Sequence, residues 1–354
     1  MKIAIVSPVI IPVPPVKYGG IQLIVAELVK GLAGRGHQVT VFCSGGSIIG
    51  GENITCVETS PYPTFDHVDE NRIWEERQIL SVIERQNEFD LIHLNYEPAV
   101  LNFEVEGKQT NLLKLFSVPV VTTFHNSTNV PQHIEYYKKN QLPFNCLPVF
   151  ISENHRSPLS FILNSAVIYN GIDVEKFPFD DKKENYLLFL GRITPTKGIL
   201  EAISVSEKTK IPLIIAANID SSDRDFYEKD VKPRIDGEFI RYVGEADFSQ
   251  KVKYLKKAQC LLFPILWDEP FGLVMVEALA CGTPVIAFRR GSVPEIIEDG
   301  VNGFIVEDVD EMVEAIGKVV DILPEKCRES VTQKFSVERM VNEYEKIFSK
   351  VLLK

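Results

Sequence analysis

The chain lacks a long apolar run, a closely spaced cysteine pair and an excess of positive charge, and each absence removes a class of function. The first apolar run, Ile3-Ala4-Ile5-Val6, is too short for a secretory signal or a spanning helix, and no run long enough to span a membrane follows. The expected location is cytoplasmic. Peripheral membrane contact stays open, but no feature points to it. Lys and Arg number 38 against 49 Asp and Glu, for a net charge of -11, so nucleic acid is not an expected partner. The cysteines at 43, 56, 146, 260, 281 and 327 are scattered, mostly within apolar runs. Without the two-residue spacing of zinc or redox pairs, they read as buried thiols in a reducing compartment. The Gly-x-Gly-x-x-Gly fingerprint is also missing after the first apolar run, which argues against a nicotinamide enzyme.

What the chain does have is a regular rhythm. At 354 residues and 45% hydrophobic it is too long for one ordinary core and suits two domains. Short Val/Ile/Leu runs alternate with amphipathic stretches: Lys2–Ser7, a helix near Ile21–Leu32, Val39–Ser44, Ile54–Thr59, a polar helix near Asn71–Arg85, then Asp90–Asn95, Pro119–His125, Leu147–Ser152 and Ser165–Gly171. Strands that are apolar at consecutive positions need cover on both faces, as in a parallel sheet flanked by helices. The turn Asn170-Gly171-Ile172-Asp173 and the charged run Asp180–Glu184 break the pattern. A second series follows at Tyr186–Arg192, Pro212–Asn218, Phe239–Glu245, Gln259–Ile265, Pro284–Phe288 and Gly303–Val306. The expected fold class is α/β with two doubly wound, Rossmann-like domains and an interdomain cleft. The expected divisions are 1–170, a hinge at 171–184 and 185–336, with an amphipathic helix in 337–354 that joins the first domain. Ligands of such sheets gather at the carboxyl ends of the strands.

The densest chemical signal runs from Pro264 to Pro284. A strand ends at Pro264, and a helix is expected from Pro270, because proline suits a first helical turn. The amides of Phe271, Gly272 and Leu273 would then form an anion site. Glu269 stands at the mouth of this helix and Glu277 eight positions later, roughly 12 Å along a continuous helix. A nucleotide sugar fits that span, with Glu269 accepting from sugar hydroxyls, the amides holding the diphosphate and Glu277 accepting from the ribose. The bland alternative makes them a helix-dipole partner and a solvated side chain. Glu277, however, lies between Val276 and Ala278 in an apolar helix, where an unpaired carboxylate is costly.

This segment resembles the Glu-(seven residues)-Glu signature of the family 4 retaining glycosyltransferases of GT-B fold, also called glycosyl transferases group 1. The resemblance extends to Gly19-Gly20, Asn170–Asp173, Gly191-Arg192, Lys197-Gly198 and Gly291–Ile297. It implies that Arg192 and Lys197 bind the donor diphosphate, where two cations would neutralise the leaving group. It also implies that His125 touches the transferred sugar. Gly191 gives close backbone approach, and Gly19 and Gly20 open the first helix with amides that can face donor phosphates or an acceptor. The region of Glu245 would hold the nucleobase. Pro14-Pro15 ahead of Tyr18 is similar to a subgroup labelled pterin glucosyltransferases. The implied reaction is hexose transfer with retention of configuration and without a metal or other cofactor, UDP-glucose being the leading donor by family frequency.

The acceptor and the oligomeric state are left open by the sequence. Acceptor choice is expected to rest on Pro8–Tyr18, Pro61–Asp69 and Asn126–Leu142. Asp223-Arg224-Asp225 and Asp308-Val309-Asp310 match a metal-binding Asp-x-Asp pattern but are read as helix caps. The rival readings are a non-catalytic nucleotide-sugar-binding protein and a GT-B phosphorylase or epimerase.

Overall fold

The computed structural model describes residues 1–17, 19–61, 68–105 and 107–353. Tyr18, residues 62–67 and hence parts of two expected acceptor loops lie outside these. Two compact units are formed, Met1–Gly171 with Val337–Lys354, and Ile172–Ser336.

The first unit holds β1 (Lys2–Val6), β2 (Gln38–Ser44), β3 (Ile54–Ser60), β4 (Leu91–Leu94), β5 (Asn102–Val105), β6 (Lys108–Asn111), β7 (Val120–Thr123), β8 (Cys146–Phe150) and β9 (Ala166–Val167). Its main sheet has the order β3-β2-β1-β4-β7-β8-β9, and every pairing in it is parallel. Residues 3–6 and 91–94 are all buried, as strands covered on both faces require. The antiparallel β5–β6 hairpin was not foreseen; its turn includes Gly107 at φ 74°.

The helix Val337–Leu352 belongs to this unit. Val341 packs so closely on Gly31 of the helix Gly20–Gly34 that a Cβ at Gly31 would lie 2.4 Å from its Cγ2. Glu345 accepts from His37 Nε2 at 2.8 Å and also pairs with Arg35, while Tyr344 Oη is 2.9 Å from Thr123 Oγ1.

The second unit holds β10 (Leu187–Arg192), β11 (Leu213–Asn218), β12 (Ile240–Tyr242), β13 (Cys260–Phe263), β14 (Val285–Phe288) and β15 (Gly303–Val306), ordered β12-β11-β10-β13-β14-β15 and all parallel. In both sheets the chain reverses its direction of winding beside the first strand, at β1/β4 and at β10/β13. These are the switch points where doubly wound sheets open a crevice.

Residues 171–184, expected as a hinge, mostly pack onto the second unit. Phe177 is buried, Arg328 donates to the Phe177 carbonyl at 2.6 Å, and the amides of Asp180 and Glu184 reach the carbonyls of Cys281 and Lys257.

The cysteines are also less scattered in space than in sequence. All six are free, but Cys43 and Cys56 on adjacent strands bring their sulfurs to 2.9 Å, and Cys56 is only half-buried. No described helix is long and apolar enough to cross a membrane.

Candidate active site

In the second unit the carboxyl ends of β10 and β13 carry most of the expected groups. Chain continues from β10 through Thr194, whose hydroxyl accepts the Thr196 amide, into a single turn at Pro195–Lys197. Gly198 follows at φ 74°, so close to the β13 end that a Cβ would lie 1.9 Å from the Pro264 carbonyl oxygen. A hydrogen bond of 2.9 Å from the Leu266 amide to the Thr196 carbonyl closes the two loops on each other. Lys197 is thereby set beside Glu269, and they form an ion pair with side chains only 17% and 14% exposed. Trp267 donates through Nε1 to the same oxygen, Oε2, at 3.1 Å, and its ring lies 5.2 Å from Lys197 Nζ. No described residue bonds Oε1.

The later motif has a structural purpose. Ser292 is buried, its amide donates to the Glu269 carbonyl at 3.0 Å and its hydroxyl to the Phe271 carbonyl at 2.6 Å. Gly291 sits at φ 53°, where a Cβ would lie 2.3 Å from the Glu269 carbonyl oxygen and 2.4 Å from its amide nitrogen. Gly291→Ala is therefore expected to push Glu269 out of place and reduce turnover by about tenfold or more, since small misplacements of a positioning group are costly. Rate measurements on a variant whose circular dichroism matches the wild type would check this, and an unchanged rate would contradict it.

The helix starts later than expected. It spans Leu273–Ala280 with Gly272 at its N-cap, φ 81°, so Pro270 lies before the helix and not in its first turn. That left-handed φ, which side-chain-bearing residues rarely adopt, explains the glycine. The early amides of this helix belong to Leu273 and its successors, while Phe271 is buried ahead of it. Glu277 is thus only about 6 Å along the axis from the first helical residue. It is 4% exposed and paired, Lys251 Nζ lying 2.5 Å from its Oε1. The feared unpaired carboxylate has a partner that its own segment could not reveal. Here too no described residue bonds the second oxygen, Oε2.

Arg192, at the end of β10, pairs through Nη1 with Asp220 at 2.9 Å, and Asn218 Nδ2 steadies the same carboxylate at 2.8 Å. Gly191 precedes it with nothing within 4 Å of a notional Cβ, as does Gly244 ahead of the half-buried Glu245. Of the two Asp-x-Asp sequences, Asp308 does cap a helix, accepting from the amides of Asp310 and Glu311, but Asp223 makes no side-chain cap. Asp310 and Asp225 pair with Lys208 and Lys229. Among the described residues no three metal-binding side chains cluster.

The first unit carries His125, Gly19 and Gly20. Gly19 precedes the helix Gly20–Gly34, and a Cβ there would lie 2.6 Å from Pro15 Cβ, so Gly19 is needed to fold the Pro-rich loop. His125 follows β7, half-buried, with Nε2 at 2.9 Å from Asn95 Oδ1. Its amide and that of Asn126 donate to one oxygen of buried Glu97 at 2.9 and 2.8 Å. Burial, with His93 and His155 near, pulls the imidazole down to about 3, so His125 is neutral at ordinary pH. Glu97 went unnoticed in the sequence, although it closely follows β4 at a switch point. Arg156, just after buried His155, pairs with Glu153 at 2.8 Å in the open.

Two family models match, Glycosyltransferase Family 4 over residues 18–153 and Glycosyl transferases group 1 over 173–334. The chain belongs to the group 1 glycosyltransferases. It is 36% identical over 176 residues, 47% of each chain, to an uncharacterized 41.2 kDa protein in the cps region of Klebsiella pneumoniae. It is 26% identical to the phosphatidyl-myo-inositol mannosyltransferase of Mycolicibacterium smegmatis, over 89% of this chain and 84% of that one. The fold matches crystalline Anabaena HepE in complex with UDP-glucose at a TM-score of 0.75 and 18% identity, covering 99% and 100% of the two chains. The family models and relatives make this glycosyltransferase an enzyme of the transferase class.

Proposed function

We propose that this glycosyltransferase moves a hexose from a nucleotide diphosphate sugar, with UDP-glucose the leading donor, to an acceptor hydroxyl, with retention of configuration and without a metal. The observation that carries this reading is the pairing in the second unit. Two carboxylates flank the start of the helix Leu273–Ala280, each held by a lysine through one oxygen while the other oxygen has no described partner. Such oxygens are acceptors for hydroxyls, Glu269 for the hexose and Glu277 for the ribose. The phosphates fall between them, toward the helix start.

Lys197 keeps donors in reserve. A lysine ammonium has three, so Lys197 can hold Glu269 and still bond phosphate oxygens, while Arg192, paired with Asp220, adds its positive charge. As the sugar–phosphate bond breaks, they stabilise charge gathering on the leaving diphosphate. That a metal is not needed is inferred from the aspartates: Asp308 is used as a cap, and Asp310 and Asp225 are paired with lysines. The departing phosphate oxygen, rather than a protein base, would take the acceptor proton, and the acceptor oxygen, rather than a protein nucleophile, would bond the sugar. A donor that HepE is recorded as binding, UDP-glucose, supports the choice of sugar nucleotide.

The test is turnover of UDP-glucose with a panel of hydroxyl acceptors in excess chelator, with proton NMR of the product. Transfer with an α-linkage from the α-linked donor is expected. Inverted product, or loss of transfer that manganese restores, would contradict the mechanism. Product formed only with inorganic phosphate would point to a phosphorylase.

A further inference from the structure

We propose that Lys251 is a positioning residue for the donor: through one carboxylate oxygen it holds Glu277 so that the other is offered to the ribose diol of a nucleoside diphosphate. The proposal rests on the reading of Glu277 as the ribose acceptor.

Lys251 lies on the helix Phe248–Lys257, whose start is fixed by a reciprocal capping box between Asp247 and Gln250. Its ammonium reaches Glu277 Oε1 at 2.5 Å, with the side chains 19% and 5% exposed. The rings of Phe177 and Phe248 lie 5.8 and 5.4 Å from Nζ, so the lysine stem is held among aromatic groups. A carboxylate this deeply placed is costly unless its charge is matched and its lone pairs are used. Lys251 meets the first need and half of the second. Oε2 has no described partner and is not among the sealed, unpartnered atoms of the described residues, so it is open to a further donor.

The choice of lysine also fits. Its point charge engages a single oxygen, whereas an arginine fork in this geometry would tend to claim both and close the site. A pair built only to join two helices would gain from the fork.

The experiment is calorimetric titration of UDP, GDP and ADP into the full chain, then of the 2′-deoxy form of whichever binds best, for wild type, Glu277→Gln, Lys251→Met and Lys251→Gln. Wild type is expected to lose about tenfold in affinity when the 2′-hydroxyl is removed, the size of one hydrogen bond to a charged group. In Glu277→Gln and Lys251→Met that preference should fall below about twofold. Lys251→Gln, whose amide ends one bond short of the ammonium and carries no charge, is expected to lose the preference as well and serves if Lys251→Met does not fold. Loss of the preference in Glu277→Gln but its retention in both Lys251 variants overturns the role of Lys251 alone. Retention in Glu277→Gln, or no binding of any nucleotide to wild type, overturns the reading of Glu277 and the proposal with it.

Discussion

Lys197→Ala and Glu269→Ala are each expected to lower turnover by about two orders of magnitude or more, the usual cost of losing charge stabilisation or donor positioning. The two changes should not add. The side chains form one ion pair in a site where both are mostly buried, and Trp267 bonds the shared oxygen. Removing either leaves the other misplaced, so the double variant should be little slower than the worse single one. Rates for the three variants, with circular dichroism confirming their folds, check this. Wild-type-like rates in both single variants would remove Lys197 and Glu269 from the site.

The second large effect is on stability. His93 is fully buried under the helix Val337–Leu352, its ring 4.9 Å from that of Tyr344 and its Nε2 2.8 Å from Thr123 Oγ1. Burial pulls its imidazole from 6.5 to about 3. Between those values the unfolded chain binds a proton that the folded one refuses. Stability must therefore fall as pH drops below about 6.5 and level off only near 3. At pH 5 His93 alone would cost about 2 kcal/mol relative to pH 7.5. His125 and His155, also lowered by burial, act in the same direction. Urea unfolding followed by Trp74 in a Trp267→Phe background reports the first unit. The midpoint should fall clearly from pH 7.5 to 5, and His93→Gln should flatten the dependence. A midpoint indifferent to pH would contradict the assignment.

The sheets were legible because each core strand is a short apolar run closed by a turn or charged residue, as at Leu187–Arg192 and Cys260–Phe263. The β5–β6 hairpin was not, since Lys108–Asn111 is polar and mostly exposed and so lacks that signal. Glu269, Arg192 and Lys197 stood out because glycines or prolines mark the loops beside them, and Glu277 because of its spacing from Glu269. Their partners did not. Lys251 is one of several lysines on its helix, Asp220 one acid in a polar loop, and Trp267 was passed over beside Glu269. What distinguishes the first two is a pairing across 26 and 28 positions of sequence, which the fold alone supplies. The late helix start has a local cause: Gly272 takes a left-handed conformation that delays the first turn, a feature that outweighs the preference of Pro270.

The central claim is that the second unit binds a nucleotide sugar with its own cations and carboxylates. It is tested most directly by calorimetric titration of UDP-, GDP- and ADP-glucose in excess chelator, for wild type and Arg192→Ala. The account predicts saturable one-site binding of at least one donor to wild type, weakened by about tenfold or more in Arg192→Ala, the size of a lost charge-assisted bond to phosphate. Binding that appears only after manganese is added, or equal affinity in the two proteins, would contradict it.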